Sequence, residues 1–211
     1  MMIHPIFPNI VMHNDHELAD LLGVNIVNRK TIHEWSLSCV QLICLDDGSK
    51  MVYKAQLPPT VEPLFYENAI SRLLPDYHVY GKIGNCYIMT IDWIDAPLLS
   101  KTVRSENKVI EHAKQIISQI GEIAGNLPTY LNIGSYEAWL GLGEVMLEKL
   151  RKLIIDRRFR SVDLDKVERV RGWAKSSIVI EKVTSSPRVV HGDLKADQVF
   201  ITNDGYRIID W

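Results

Sequence analysis

The sequence predicts an α+β protein of two lobes. Three observations point to it. Up to Asp92 the apolar residues alternate and are punctuated by tight-turn signals, as in short antiparallel strands. Beyond residue 98 the apolar residues recur at helical spacing instead. A proline-containing crossing, Asp92 to Pro97, separates the two textures. The reading is an N-lobe sheet with a helix over residues 1–92, a hinge at 93–97, and a mainly helical C-lobe over 98–211.

The elements follow in order. Asn14 to Leu22 reads as a helix, with Asn14 as N-cap and Gly23 as its stop. Strands run from Val24 to Gln56. Val40, Leu42 and Cys44 alternate, Asp46-Asp47-Gly48 turns the chain, and Met51 to Ala55 is the partner strand. Pro58-Pro59 ends it. Leu64 to Leu74 reads as a helix with Leu64, Ala69, Ile70, Leu73 and Leu74 on one side. Val79-Tyr80 and Cys86 to Ile91 form two more strands around Gly81 and Gly84. In the second lobe Val109, Ile110, Ala113, Ile116, Ile117, Ile120, Ile123 and Ala124 mark one helix. Leu142, Met146, Leu150 and Leu153 mark another. A third runs from Val162 to about Lys182, with Val167, Val170, Trp173 and Ala174 inward.

The bulk properties exclude several functions. The chain has 211 residues, 46% hydrophobic and 24% charged, which suits a soluble globular protein with a core. A formal net charge of -2 and the lack of any basic cluster with interleaved aromatics argue against nucleic acid as a partner. No apolar run approaches a membrane span, and Met1 to Pro5 lacks the pattern of a signal peptide. Cys39, Cys44 and Cys86 have no CxxC spacing and read as reduced buried thiols of a cytoplasmic protein. His33, His78 and His112 lack metal-ligand spacing, and no GxSxG or GxxxxGK[ST] motif is present.

The chemistry concentrates in the last stretch, Val189-Val190-His191-Gly192-Asp193-Leu194-Lys195-Ala196-Asp197-Gln198-Val199-Phe200-Ile201, followed by Tyr206-Arg207-Ile208-Ile209-Asp210-Trp211. It reads as two apolar strands, each delivering an acidic residue to its end, joined by the polar hairpin Asn203-Asp204-Gly205. Two carboxylates brought together this way suit phosphoryl transfer, which needs a base and a metal ligand side by side. The stretch resembles the catalytic and metal-binding loops of the protein-kinase-like fold. Its His-Gly-Asp-Leu opening and Ile-Asp-Trp close are most similar to the aminoglycoside phosphotransferase and choline kinase branch.

That resemblance implies roles by position. Asp193 would accept or orient the proton of the acceptor hydroxyl, which requires a carboxylate within about 3 Å of that proton. His191 would brace the loop, and Lys195 would neutralise the γ-phosphate. Asp210 would hold Mg²⁺ between phosphate oxygens. Gln198 stands where the family has Asn, a ligand of a second metal ion, and is one methylene longer. Lys54 would hold the α- and β-phosphates of ATP (or GTP), and Glu67 on the next helix would orient it. Val52, two residues before Lys54 on the same strand face, would roof the adenine. Ser36 and Ser38 sit where the family's phosphate-covering turn belongs, although that turn has no glycine here. The Met89 to Ile94 segment fits the hinge, with Thr90, Ile91, Asp92 and Trp93 as candidates to read the adenine edge.

The resemblance implies a small-molecule kinase that phosphorylates a hydroxyl. The acceptor would be an antibiotic such as an aminoglycoside or macrolide, or a metabolite such as choline, homoserine or a sugar. In the family, helices follow the metal-binding Asp, so the C-lobe is expected to be partial here. An exposed apolar surface and a homo-oligomer would follow. The alternative reading is a non-catalytic, pseudokinase-like nucleotide-binding protein or an inactive fragment, motivated by Gln198, the glycine-free turn and the early stop. A protein kinase is disfavoured, because Gly192 and Trp211 replace the Arg and Phe of the corresponding protein-kinase motifs.

Overall fold

The computed structural model describes residues 1–128 and 131–211. Contacts divide the chain into two units, Met1–Tyr130 with Val190–Trp211, and Leu131–Val189. All the candidate site residues lie in the first.

The first unit opens with β1 (Met2–Ile3) paired antiparallel to β2 (Val11–Met12). Helix α1 (Asp15–Leu22) starts at the expected cap. Asn14 Oδ1 accepts from the Glu17 N–H, and Glu17 Oε2 accepts from the Asn14 N–H, both at 2.9 Å. This reciprocal pair satisfies two N–H groups that a helix start leaves open. Strands β3 (Ile26–Trp35), β4 (Ser38–Leu45) and β5 (Lys50–Gln56) are followed by α2 (Glu62–Asn68), β6 (Ala69–Ile70), β7 (Tyr77–Ile83) and β8 (Cys86–Asp92). One five-stranded sheet contains β3, β4, β5, β8 and β7 in that order, antiparallel throughout.

The pleat gives this sheet two faces with different tasks. Ile43, Leu45, Tyr53, Ala55 and Ile88 join Ile10, Met12 and Leu18 in the main core. Register then assigns Val40, Leu42, Val52, Lys54, Met89 and Ile91 to the opposite face, through the pairs Val40↔Lys54, Leu42↔Val52, Lys54↔Met89 and Val52↔Ile91. Cys39 and Cys86 are buried, Cys44 is half-buried, and all are free thiols.

Helix α2 departs from the expected Leu64–Leu74 span. It begins at Glu62, helped by Pro63 in its first turn, and ends where Ala69 turns extended (φ -85°, ψ 137°). Leu73 and Leu74 are buried without being helical. Their burial had produced the helical-looking spacing.

After α3 (Leu99–Thr102), α4 (Glu106–Ile120) buries Ile116 and Ile120. It stops short of Ile123 and Ala124. Ala124 instead belongs to β9 (Ala124–Gly125), which pairs with β6. Gly125 permits this: its φ is 121°, and a Cβ there would lie 1.9 Å from the Asn68 carbonyl oxygen.

The second unit is helical. Helix α5 (Tyr136–Ile155) is capped by Ser135, whose hydroxyl accepts from the Ala138 N–H at 3.1 Å. The single helix expected over 162–182 is two, α6 (Leu164–Ala174) and α7 (Ser177–Thr184). The break is closed by Ser176 Oγ donating to the Trp173 carbonyl at 2.7 Å. Val167 is buried as expected, but Val170 and Trp173 are exposed. Trp173 is six residues from Val167, which puts it about a third of a turn off the buried face. Among the described residues no helix is long and apolar enough to cross a membrane.

The chain returns to the first unit with the hairpin of β10 (Val199–Thr202) and β11 (Gly205–Ile208). Val189 and Val190 are not in a strand, so Asp193 sits on an irregular loop rather than at a strand end. The hairpin is anchored on several sides. Ile201 N–H donates to the Pro97 carbonyl at 2.9 Å and Ile208 N–H to the Leu73 carbonyl at 2.7 Å. Tyr206 Oη donates to Gln115 Oε1 at 2.8 Å and therefore accepts from His112 Nδ1 at 2.6 Å. The hydroxyl thus ties the hairpin to two consecutive turns of α4.

Candidate active site

The site begins with a buried cation. Strand alternation points Lys54 away from the core face of the sheet, and the residue is only 4% exposed. An ammonium in that position must be paired to remain charged. Lys54 Nζ donates to Glu62 Oε1 at 2.6 Å and to Asp210 Oδ1 at 2.7 Å. Burial works against its charged form, but the two carboxylates outweigh it and hold the Lys54 pKa above the ordinary lysine value.

Glu62 is the partner of Lys54, which corrects the expectation of Glu67. Glu62, Phe65 and Tyr66 recur at helical spacing on the buried face of α2, whereas Glu67 falls on the solvent side. The signal was present in the sequence as Glu62-Pro63, since proline favours the first turn of a helix. Two further residues hold Glu62, and sequence reasoning did not single them out. Gln56 Nε2 donates to the second carboxylate oxygen, Glu62 Oε2. Thr60 Oγ1 donates to Gln56 Oε1 at 3.0 Å. Gln56 lies two residues past Lys54, so both side chains leave β5 on one face.

Asp210 lies beyond the end of β11 with φ 63°. A left-handed backbone is uncommon outside glycine and is best tolerated by Asn and Asp. Burial raises its pKa, but Lys54 and the Gln198 amide outweigh that and hold the carboxyl below its ordinary range. The chain on either side is pinned. His191 Nε2 donates to the Ile209 carbonyl at 2.9 Å, which leaves His191 Nδ1 buried with no partner among the described residues. Ile209 N–H donates to the Gln198 carbonyl at 3.1 Å. Trp211 Nε1 donates to the Ile208 carbonyl at 2.9 Å, and its ring stacks on Phe65.

Asp193 and Lys195 form an exposed pair, with Lys195 Nζ on Asp193 Oδ2 at 2.8 Å. That hydrogen bond pushes the Lys195 pKa upward. Gly192 precedes them with φ 81°, a conformation in which a side chain would be strained. Gln198 Oε1 accepts from the Lys195 N–H at 2.7 Å. The oxygen expected to face a second metal ion is turned into the loop.

The remaining candidates divide. Val52 shares the Lys54 face. Thr90 does not: it pairs with Tyr53 on the core face, is buried, and its hydroxyl lies 3.4 Å from Tyr80 Oη. Its side chain cannot line a pocket on the Lys54 face, because adjacent strand residues point to opposite sides. Asp92 is exposed at the end of β8. Its N–H is taken by the Asp76 carbonyl at 2.9 Å, and that of Trp93 by the Lys50 carbonyl at 3.2 Å. Ser36 is exposed in a tight two-residue turn, whereas Ser38 is a buried strand residue paired with Gln56.

No protein-family model matches the chain, and no curated protein matches it. Solved structures do. A macrolide 2'-phosphotransferase from Brachybacterium faecium superposes with a TM-score of 0.57 at 14% identity, over 91% of this chain and 68% of that one. A spectinomycin phosphotransferase in complex with ADP and spectinomycin gives 0.53 at 14% identity, over 95% and 69%. A type I macrolide 2'-phosphotransferase gives 0.53 at 16%, over 94% and 74%. The chain has the protein-kinase-like fold. In this fold the five-stranded sheet with α2 and the loop-and-hairpin segment 190–211 are the parts that carry Lys54, Glu62 and Asp210.

Proposed function

We propose that the chain is a phosphotransferase that moves the γ-phosphoryl group of ATP or GTP to a hydroxyl of a small molecule. One observation carries the reading. A strand lysine, a helix glutamate and a loop aspartate 156 residues from that lysine converge on one buried ammonium. Burying an ammonium between carboxylates is costly to a fold, and perturbed ionisable groups of this kind cluster at functional sites. In this reading residues 1–92 form the nucleotide-binding lobe, 93–97 the hinge and 98–211 the C-lobe.

Lys54 pairs with the α- and β-phosphates, Glu62 orients it, and Val52 covers the base. Asp193, on the Gly192 turn, takes the acceptor proton, while Lys195 beside it neutralises phosphate charge. His191 is a positioning residue, fixing Ile209 and so Asp210. Mg²⁺ suits Asp210, because this hard cation is held by one or two carboxylates with the rest of its shell from phosphates and water. Among the described residues there is no cluster of three or more His, Cys, Asp or Glu that would form an all-protein cage. Bound Mg²⁺ supplies charge neutralisation on the phosphate oxygens. Catalysis in such a site is positioning and electrostatics, with no covalent intermediate on the protein.

Transfer of labelled phosphate from Mg·ATP to aminoglycosides, macrolides, choline, homoserine and sugars tests the reading. A phosphate ester made by the wild type and not by Asp193→Ala is the expected result. A second reading, a nucleotide-binding protein without transferase activity, is favoured by the turned Gln198 oxygen. Mg·ATP binding without transfer to any acceptor would select it.

A further inference from the structure

The loop that carries Asp193 closes on itself through Gln198. The Gln198 N–H donates to the Lys195 carbonyl at 3.0 Å, and Gln198 Oε1 accepts from the Lys195 N–H at 2.7 Å. This reciprocal i to i+3 arrangement has the logic of a capping box, where a Glu or Gln reaches back to the N–H three residues earlier. Asn is a methylene shorter, so its oxygen would end about a bond length short of that N–H.

The chemistry fixes which way the amide points. The Lys195 N–H needs an acceptor, so the oxygen end of Gln198 must face the loop. The NH₂ end is then left on the opposite side of the amide, away from the Lys195 N–H. With its oxygen engaged by an N–H of its own loop, the amide presents an N–H donor outward, which is the wrong polarity for a cation ligand. The backbone carbonyl of Gln198 is also occupied, by the Ile209 N–H at 3.1 Å.

Among the described residues no neighbouring group replaces the lost ligand. Asp193, the nearest carboxylate in the loop sequence, points to solvent and is held by Lys195. Glu62 is closed off by Lys54 and Gln56, one on each oxygen. Among the described residues no three His, Cys, Asp or Glu gather around a common point.

We infer that Gln198 is a positioning residue that holds the Asp193 loop closed, and that the nucleotide-bound site takes one divalent cation, on Asp210, rather than two. The inference rests on the phosphotransferase reading, and it limits the metal that reading invokes.

The test counts Mn²⁺ bound per chain by electron paramagnetic resonance at saturating AMP-PNP, with bound AMP-PNP measured separately in the same samples. One Mn²⁺ per nucleotide-bound chain is expected for the wild type. Asp210→Asn should fall below one, and Gln198→Asn, which frees the amide oxygen from Lys195, should rise toward two. Two Mn²⁺ in the wild type would overturn the single-cation assignment while leaving the nucleotide site intact. A count of one in both wild type and Gln198→Asn would overturn the role given to Gln198. The wild-type count stands even where Gln198→Asn fails to fold. Absence of AMP-PNP binding to folded wild type would instead remove the phosphotransferase reading and this inference with it.

Discussion

Phe65 stacks on Trp211 with ring centroids 4.8 Å apart and planes at 16°, one helical turn from Glu62. Helix α2 therefore grips two consecutive residues of the chain end. Glu62 reaches Asp210 through Lys54, and Phe65 holds the next residue directly. The arrangement couples the position of α2 to that of the Asp210 carboxylate. A double-mutant cycle with Phe65→Leu and Trp211→Leu measures the coupling. Aromatic pairs contribute about 0.5–1.5 kcal/mol beyond burial, and a coupling energy in that range is expected. A coupling near zero would mean that the rings touch without fixing α2.

Glu62 and Glu67 give opposite expectations from residues five apart on one helix. Removing the Glu62 carboxylate strips a buried ammonium of one of its two partners. Breaking a buried pair costs about 3–5 kcal/mol. Because Asp210 still holds Lys54, Glu62→Ala should sit at the low end of that range in chemical denaturation. Glu67→Ala, on the exposed side, should stay within about 0.5 kcal/mol of wild type. Equal effects of the two substitutions would contradict the assignment of Glu62.

The contrast also shows what could be read from the chain. The α1 cap, the Asp46–Gly48 turn, the strands of the sheet and the hairpin before Asp210 are governed by local rules, since caps, turns and alternation act over a few residues. The α2 boundaries were not, because Leu73 and Leu74 are buried by tertiary packing and mimic helical spacing. Ala124 left its helix for a pairing with Ile70 that only Gly125 makes sterically open. Gln56 and Thr60 were invisible, since a polar residue on a strand carries no sign of what it will meet across the fold. Gln198 stands out in the sequence by its spacing from Asp193, but its orientation depends on an N–H in its own loop.

The hairpin turn predicts a pH dependence of its own. Asp204 accepts from the Thr202 hydroxyl at 2.6 Å and from Arg207 Nη2 at 2.8 Å, and these hold its carboxyl down at about 2. A carboxyl with a folded pKa below its unfolded value stabilises the fold fully above the ordinary carboxylate range. That contribution disappears as pH falls through the unfolded value towards about 2. The side chain is exposed, so the effect on global stability is small and salt-sensitive. Side-chain carboxyl NMR should report a midpoint near 2 for Asp204, and Thr202→Val should move it up. A midpoint in the ordinary Asp range would show that the turn does not hold these bonds in solution.

Asp193 carries the sharpest functional expectation. Its carboxylate is exposed and paired with the exposed Lys195, so removing it leaves no buried charge and little change in stability. A positioned general base contributes about 10²–10⁴-fold to rate. Asp193→Asn should therefore lower kcat by that order with a melting temperature close to wild type and unchanged binding of Mg·ATP. Lys54→Met should do the reverse in part: nucleotide-dependent thermal stabilisation should disappear, and the unpaired Glu62 should destabilise the apo protein as well. If Asp193→Asn weakened nucleotide binding instead of turnover, the loop would be a phosphate-binding element and the base would have to be sought elsewhere.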